Sequence, residues 1–494
     1  MRRTPMPSTT EPGGGVRFGL ALIGLVAIAA LVTASAVAVS PGGTATGGVP
    51  NRTVEVVAEP GVPDEVLVTR TLLTSSSSAV VVASTAAPED LGRAVELSRT
   101  RRVPVYVVEP GRAPAVATEL DRLGVQTLVN VGEQVPGLGL PQTSDAGGLS
   151  PGVVAAPGSP VVLIAGGPAV AADAELAGAE VVTVPVADPR ATGASVEAVR
   201  ESGDRPILAI GEQFGDTEQF TDRVEQARTV PQLPGGGQLM FPSRRVVALY
   251  GSPGSEALGP LGRQSLPATI ARARQVAAPY DALSPVPVIP GFEIIVTVAS
   301  ADPGYKGAYT NIIDPKVIEP WVDAAADAGV YVTLDLQPGR MDFLTQAKMY
   351  EGLLKRPHVG LALDPEWRIK DHQVHLTQIG TVAPAEVNRT ADWLADLVRR
   401  NNLPQKAFVL HQFDADMLGD RSKLDTSHPE LAVVLHADGH GVPAVKMGTW
   451  NRMTTDLPPN IWMGWKNFYT EDKPTFSPAK TMAVRPVPYF ISYQ

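Results

Sequence analysis

The chain has no cysteine in its 494 residues. Disulfides, thiolate metal sites, a cysteine nucleophile and a lipid-modified N-terminal cysteine are all excluded. Aromatic residues are scarce, at 5%. Neither histidine nor tryptophan occurs before Trp321, so the first 320 residues lack the usual catalytic base. No basic stripe is present, and the net charge is −10. Nucleic acid is therefore not an expected partner, because nothing offsets its phosphates. A Gly-x-Ser-x-Gly elbow and a P-loop are also missing.

What is present begins with an apolar run. Phe18–Val39 carries no charge over 22 residues, and Arg2, Arg3 and Arg17 precede it. At roughly 1.5 Å per residue it is long enough to span a bilayer. The preceding charges favour a cytoplasmic N-terminus with the remainder outside. Ala34–Ser35–Ala36 also fits a signal-peptide cleavage site. Residues 1–45 are thus expected to be a signal peptide or membrane anchor plus spacer. Either reading exports the remainder to the cell envelope, with a membrane contact if the helix is uncleaved.

Residues 53–235 alternate short apolar runs with amphipathic segments. That pattern predicts a small parallel α/β domain of the doubly wound kind. Its two halves end alike. Val129–Asn130–Val131–Gly132–Glu133–Gln134 matches Leu208–Ala209–Ile210–Gly211–Glu212–Gln213 at an offset of 79 residues, as a duplicated half-domain would. The Gly/Pro-rich stretch Pro231–Gly237 marks a boundary.

From residue 244 to 494, eight strand signals alternate with helical ones. Their number and spacing predict a (β/α)8, TIM-like barrel. Residues at the C-terminal strand ends then face the mouth. These are Tyr250 and Ser252, Ser300 and Asp302, Asp335 and Gln337, and Asp364 and Glu366 on strands one to four. Strands five to eight supply His411 and Gln412, His436 and Asp438, Trp465 and Lys466, and Ser492 and Gln494.

Asp364 and Glu366 are the central pair. Two close carboxylates repel, which keeps one protonated. A protonated carboxyl beside an ionised one suits glycoside chemistry. Glu366, Asp364 and Asp335 are the expected catalytic acids. Tyr250, Trp367 and Trp465 are expected to stack on sugar faces. His411, Gln412, His436, Asp438 and Lys466 complete the substrate contacts. This reading needs no metal or other cofactor, and its partner is a cell-wall or other envelope glycan. Two alternatives stand beside it. One is a surface protein that binds glycan without cleaving it. The other is a metal-dependent hydrolase using His411, His436, Asp438, Asp364 and Asp335 as N/O ligands.

Three resemblances add to this reading. Ser78–Ala79–Val80–Val81–Val82–Ala83–Ser84, the strand Val103–Val108 and Ala165–Gly166–Gly167 resemble the type 2 cell-wall-binding repeats of Gram-positive surface proteins. That resemblance implies retention at anionic wall polymers. Asp364-x-Glu366 on strand four resembles the family 18 chitinases and family 25 lysozymes. The chitinase likeness implies Glu366 as general acid, with Asp364 orienting a substrate acetamido group. The longer chitinase pattern has acids where this chain has Val359 and Ala362. The runs Leu334–Arg340 and Gly360–Trp367 resemble an uncharacterised, glycoside-hydrolase-like barrel family exported by GC-rich Gram-positive bacteria.

Overall fold

The computed structural model describes residues 54–494. The expected signal or anchor helix at 18–39 lies outside them. Among the described residues no helix is long and apolar enough to cross a membrane.

The α/β region opens with β1 (Val54–Val57) and α1 (Asp64–Leu72). Its first half then runs β2 (Leu73–Ser75), β3 (Ser78–Ala83), α2 (Pro88–Arg101), β4 (Val105–Val108), α3 (Ala113–Leu123), β5 (Thr127–Val131), β6 (Gln142–Thr143) and β7 (Val154–Ala155). The second half runs β8 (Val161–Ile164), α4 (Pro168–Leu176), β9 (Glu180–Thr183), α5 (Gly193–Glu201), β10 (Ile207–Ile210) and α6 (Thr217–Thr229). These strands do not join into one doubly wound sheet. They form two separate parallel sheets of four strands, ordered β4-β3-β5-β6 and β1-β10-β8-β9, while β2 and β7 pair antiparallel. The core of each is the same: a first strand flanked by the second and third. The two matching sequence endings follow β5 and β10, and both Gly132 and Gly211 take positive φ there. The fourth strand breaks the symmetry. The first half uses its own β6, whereas the second half borrows β1 from the start of the region.

The halves lock together through buried polar groups. The Asp173 carboxylate on α4 accepts a 2.9 Å hydrogen bond from the Val105 amide on β4. The Pro231–Gly237 segment is packed rather than loose. A Cβ on Gly237 would lie 2.8 Å from the Ala191 carbonyl oxygen. The Arg244 guanidinium donates to the carbonyls of Pro234, Gly236 and Leu239.

The remaining strands close into a barrel. They are β11 (Arg245–Gly251), β12 (Val288–Ala299), β14 (Tyr331–Leu336), β15 (Val359–Leu363), β16 (Lys406–Gln412), β17 (Leu431–Ala437), β18 (Trp462–Asn467) and β19 (Phe490–Tyr493). Each pairs parallel with the next, and β11 pairs with both β19 and β12. A short β13 (Thr310–Ile312) lies antiparallel on β12. The eight parallel strands are those expected from the sequence. Between them run α7 (Leu266–Ala277), α8 (Pro315–Ala328), α9 (Phe343–Met349), α10 (Glu351–Leu354), α11 (Pro384–Arg400), α12 (Pro443–Thr454) and α13 (Pro478–Met482). Several begin with proline in the first turn, where its missing N–H costs no helical bond.

Strand alternation sets the layers. Leu249, Phe292, Leu334, Leu361, Phe408, Leu435 and Trp465 face outward and pack under the helices. Val246, Ala248, Ile289, Tyr331, Ala362, Val409, Val434 and Phe490 face inward and fill the lower lumen. Met240 and Phe241 join this inner cluster.

Candidate functional site

The same alternation, carried toward the C-terminal strand ends, turns the inward positions polar. Tyr250, Glu293, Asp335, Asp364, His411, His436, Lys466 and Ser492 come from eight different strands or their immediate ends. All are buried.

Asp438, just past β17, is the hub. Its Oδ2 accepts from His411 Nδ1 at 2.7 Å, and its Oδ1 accepts from His436 Nδ1 at 2.6 Å. Lys466 Nζ lies 3.4 Å from Asp438 Oδ2 and 3.7 Å from the centre of the Tyr250 ring. The Tyr250 hydroxyl donates to Asp335 Oδ2 at 2.8 Å. On the far side, Ser492 Oγ lies 3.1 Å from His436 Nε2. His411 Nε2 stands 3.0 Å from Glu293 Oε1 as an ion contact, without hydrogen-bond alignment. Gly464 makes room for this network, since a Cβ there would lie 2.7 Å from His436 Cδ2.

The charges sort themselves accordingly. Burial works against ionising Asp438, but His411, Lys466 and His436 outweigh it and hold the carboxyl well below its usual range. Burial likewise opposes a charged His411, yet Asp438, Glu293 and Asp335 lift its pKa well above the usual imidazole value. His436 shares the same carboxylate but moves down, because burial dominates and His411 already carries the charge. Burial pushes Asp335 up to about 6, with Glu293 adding to the rise. Burial and the neighbouring Glu366 push Asp364 well above the ordinary carboxyl value. Burial also raises Glu366, against the pull of the Lys466 ammonium. The inner ring is thus an ionic lattice around Asp438, flanked by Asp335, Asp364 and Glu366, whose pKa values burial raises.

Above this ring lies a cleft of about 560 Å³. Tyr250, Gln337, Glu366, Trp367, Asp438 and Lys466 line it. Pro365 ends the β15 ladder, and Glu366 follows in the short turn Pro365–Trp367. That turn is pinned by Gly380, whose N–H donates 2.7 Å to the Glu366 carbonyl and whose missing Cβ makes the approach possible.

The sequence-derived residues divide into two groups. Glu366, Trp367, Tyr250, Asp438 and Lys466 meet at the cleft, with Asp364, Asp335, His411 and His436 directly beneath. Trp465 and Gln412 do not belong, and strand parity is the reason. Trp465 points away from Lys466 and is buried between Trp450 and Phe476. Gln412 points away from His411 and donates to the Asp414 and Ala415 carbonyls. Neither can stack on or bind a ligand in the cleft. Strand two also differs from expectation. Asp302 is exposed, and the contribution of β12 is Glu293. That strand starts at Val288, which places Glu293 in mid-barrel opposite Tyr250. A lone acid inside the apolar run Gly291–Ile295 was the available signal.

His411, His436 and Asp438 bring donor atoms close enough to hold a metal ion. Their Nδ1 atoms and both Asp438 oxygens are engaged in hydrogen bonds with one another. This trio is better suited to fixing ring orientation than to ligating a metal.

No protein-family model matches the chain. No curated protein matches it either. Among solved structures, the crystal structure of the xylanase and alpha-amylase inhibitor protein from Scadoxus multiflorus aligns with a TM-score of 0.30 and 12% identity. The alignment covers 50% of this chain and 92% of that one. The assignment of a closed eight-stranded parallel barrel rests on the strand pairing itself.

Proposed function

We propose that the chain is an exported envelope protein whose barrel acts on a glycan, with Glu366 as the proton donor. The observation that carries this reading is the position of Glu366. It combines access to the cleft with a raised pKa, as a general acid requires. Trp367 beside it offers a ring face to a pyranose. Asp364 lies directly beneath and favours its protonated form, so it is a hydrogen-bond donor to a substrate amide rather than a nucleophile. Strand seven supplies Lys466 where many retaining enzymes place their second acid. The reading therefore favours a sugar that carries its own acetamido nucleophile, as peptidoglycan sugars do. The α/β region, through its likeness to wall-binding repeats, would hold the barrel at the wall.

The test is incubation of the full-length chain with purified peptidoglycan, measuring new reducing ends. Glu366→Gln is expected to lower their release at least about 100-fold. A second reading, glycan binding without turnover, draws on the fate of Asp335. That acid is enclosed and bonded to Tyr250, so it cannot serve as an exposed partner to Glu366. Sedimentation with the wall but no release of reducing ends, from wild type and variant alike, would select that reading.

A further inference from the structure

The ladder between β17 and β18 ends where the cleft begins. Its last pair is Ala437 with Trp465. The next residues, Asp438 and Lys466, carry opposite charges on the cleft floor, and the pairing of these two strands does not reach them.

A side-chain pair takes over at that point. Lys446 on α12 and Asp472, in the loop after β18, are both buried and meet at 2.8 Å. The Lys446 ammonium also donates to the Gly439 carbonyl at 2.8 Å and to the Lys466 carbonyl. All three of its protons are thereby used. Asp472 Oδ1 accepts from the Gly441 N–H at 3.0 Å, and Oδ2 from the Phe468 N–H at 2.9 Å. The backbone just past Asp438 is thus bonded to the backbone that carries Lys466. Packing adds to the constraint, since a Cβ on Gly439 would lie 2.5 Å from Thr449 Cβ on α12.

Stability alone is a poor account of this pair. Desolvating two charges roughly cancels their attraction, and apolar residues of similar volume would serve the core as well. What the pair supplies is direction, because its hydrogen bonds are aimed at particular backbone atoms. The segments it joins also form one wall of the cleft through Gly439, His440, Phe468 and Glu471. The charges it holds act on Glu366. Burial raises the pKa of that acid; among the surrounding charges, the Lys466 ammonium lowers it most and the Asp438 carboxylate next opposes.

We propose that Lys446 and Asp472 are positioning residues, whose ion pair fixes the Asp438 carboxylate and the Lys466 ammonium in the places from which they act on Glu366. Neither side chain lines the cleft itself. The inference rests on Glu366 being the working acid of the cleft, but not on turnover of a glycan.

The test replaces the pair without charge, as Lys446→Met with Asp472→Asn in the full-length chain. This double variant nearly keeps both shapes and strands no buried ion, so its urea midpoint is expected to stay near the parent's. Labelling glutamate with carbon-13 at the carboxyl reports the titration of Glu366, whose signal is identified by its loss in Glu366→Gln. With the Lys466 backbone released, its ammonium relaxes toward solvent and Glu366 loses its main counter-charge. The Glu366 midpoint is expected to rise by at least about 0.5 pH. Should the double variant misfold, Lys446→Met alone is read in the same way, since Asp472 keeps its two backbone N–H donors. A midpoint that stays put or falls in a folded variant would overturn the proposal and leave the pair a purely structural one. The titration uses no substrate, so failure of peptidoglycan turnover would defeat the glycan reading and leave this inference standing.

Discussion

The Asp438 carboxylate accepts the Nδ1–H of His411 at 2.7 Å, with the imidazole fully buried and the carboxylate at the floor of the cleft. A buried ion pair of this kind is strongly interdependent. Removing one partner strands the other charge in a poor solvent. Here the carboxylate also faces His436 and Lys466, so one change unbalances three neighbours.

Asp438→Asn is therefore expected to cost about 3–5 kcal/mol of stability at pH 7. Urea denaturation at equilibrium measures it. The sign with pH is fixed by the lowered carboxyl pKa. The contribution is present above the unfolded value, near pH 4, and is lost as the pH falls through the folded value. A loss below about 1 kcal/mol would mean that the hub is not a structural ion centre.

Gly464→Ala places a methyl group 2.7 Å from His436 Cδ2 and 3.1 Å from Val434 Cγ1. The lumen is packed on both sides, so the imidazole must shift. The expected destabilisation is about 1–3 kcal/mol. A histidine side-chain NMR spectrum should show His436 displaced from its hydrogen bond. An unchanged spectrum and melting curve would contradict the packing described for this layer.

Outside the barrel, burial pushes the Glu65 carboxyl up to about 7. The folded pKa exceeds the unfolded one, so the folded state holds the extra proton. Stability is complete below about pH 4.3 and declines as the pH rises through 7, by at most about 4 kcal/mol. Glu65→Gln keeps the shape and removes the proton. Comparing denaturation at pH 5 and pH 8 should show a smaller decline for the variant than for the parent. Equal declines would place the titrating group elsewhere.

Trp367 is half-exposed at the cleft, with its ring edge-on to His375 at 5.6 Å between centroids. Trp367→Ala should leave the fold intact and weaken glycan binding about 5- to 10-fold, equivalent to about 1–1.4 kcal/mol of ring contact. Binding to wall fragments, followed by intrinsic fluorescence or calorimetry, provides the readout. Unaltered affinity would remove the stacking role.

Much of the barrel was legible because its signals are local. Apolar runs such as Val359–Leu363 and Leu431–Leu435 have strand length, and turn residues bound them. Amphipathic segments such as Pro384–Arg400 carry a buried stripe through Val387, Ala391, Leu394 and Val398. The polar strand ends followed from the fold. What could not be read was the phase of each strand at its end. Trp465 and Lys466 are adjacent and both polar-tipped, yet one is core and the other faces the cleft. Glu293 faces the lumen in mid-strand because β12 begins at Val288, five residues before it, and the mixed sequence Val288–Phe292 carries no clear strand period. The α/β region was read as one sheet, since parallel alternation does not say which strands are neighbours.

The sequence by itself determined the alternating α/β pattern, the eight barrel strands and the polar residues that end them, because hydrophobic periodicity and turn chemistry act over a few residues. Tertiary structure alone decided that Asp438 would bind two histidines, that Glu293 would face His411, and that Trp465 would be buried. Those outcomes depend on barrel closure, which brings inward positions from distant segments within a few ångströms and makes their charges answer to one another rather than to water.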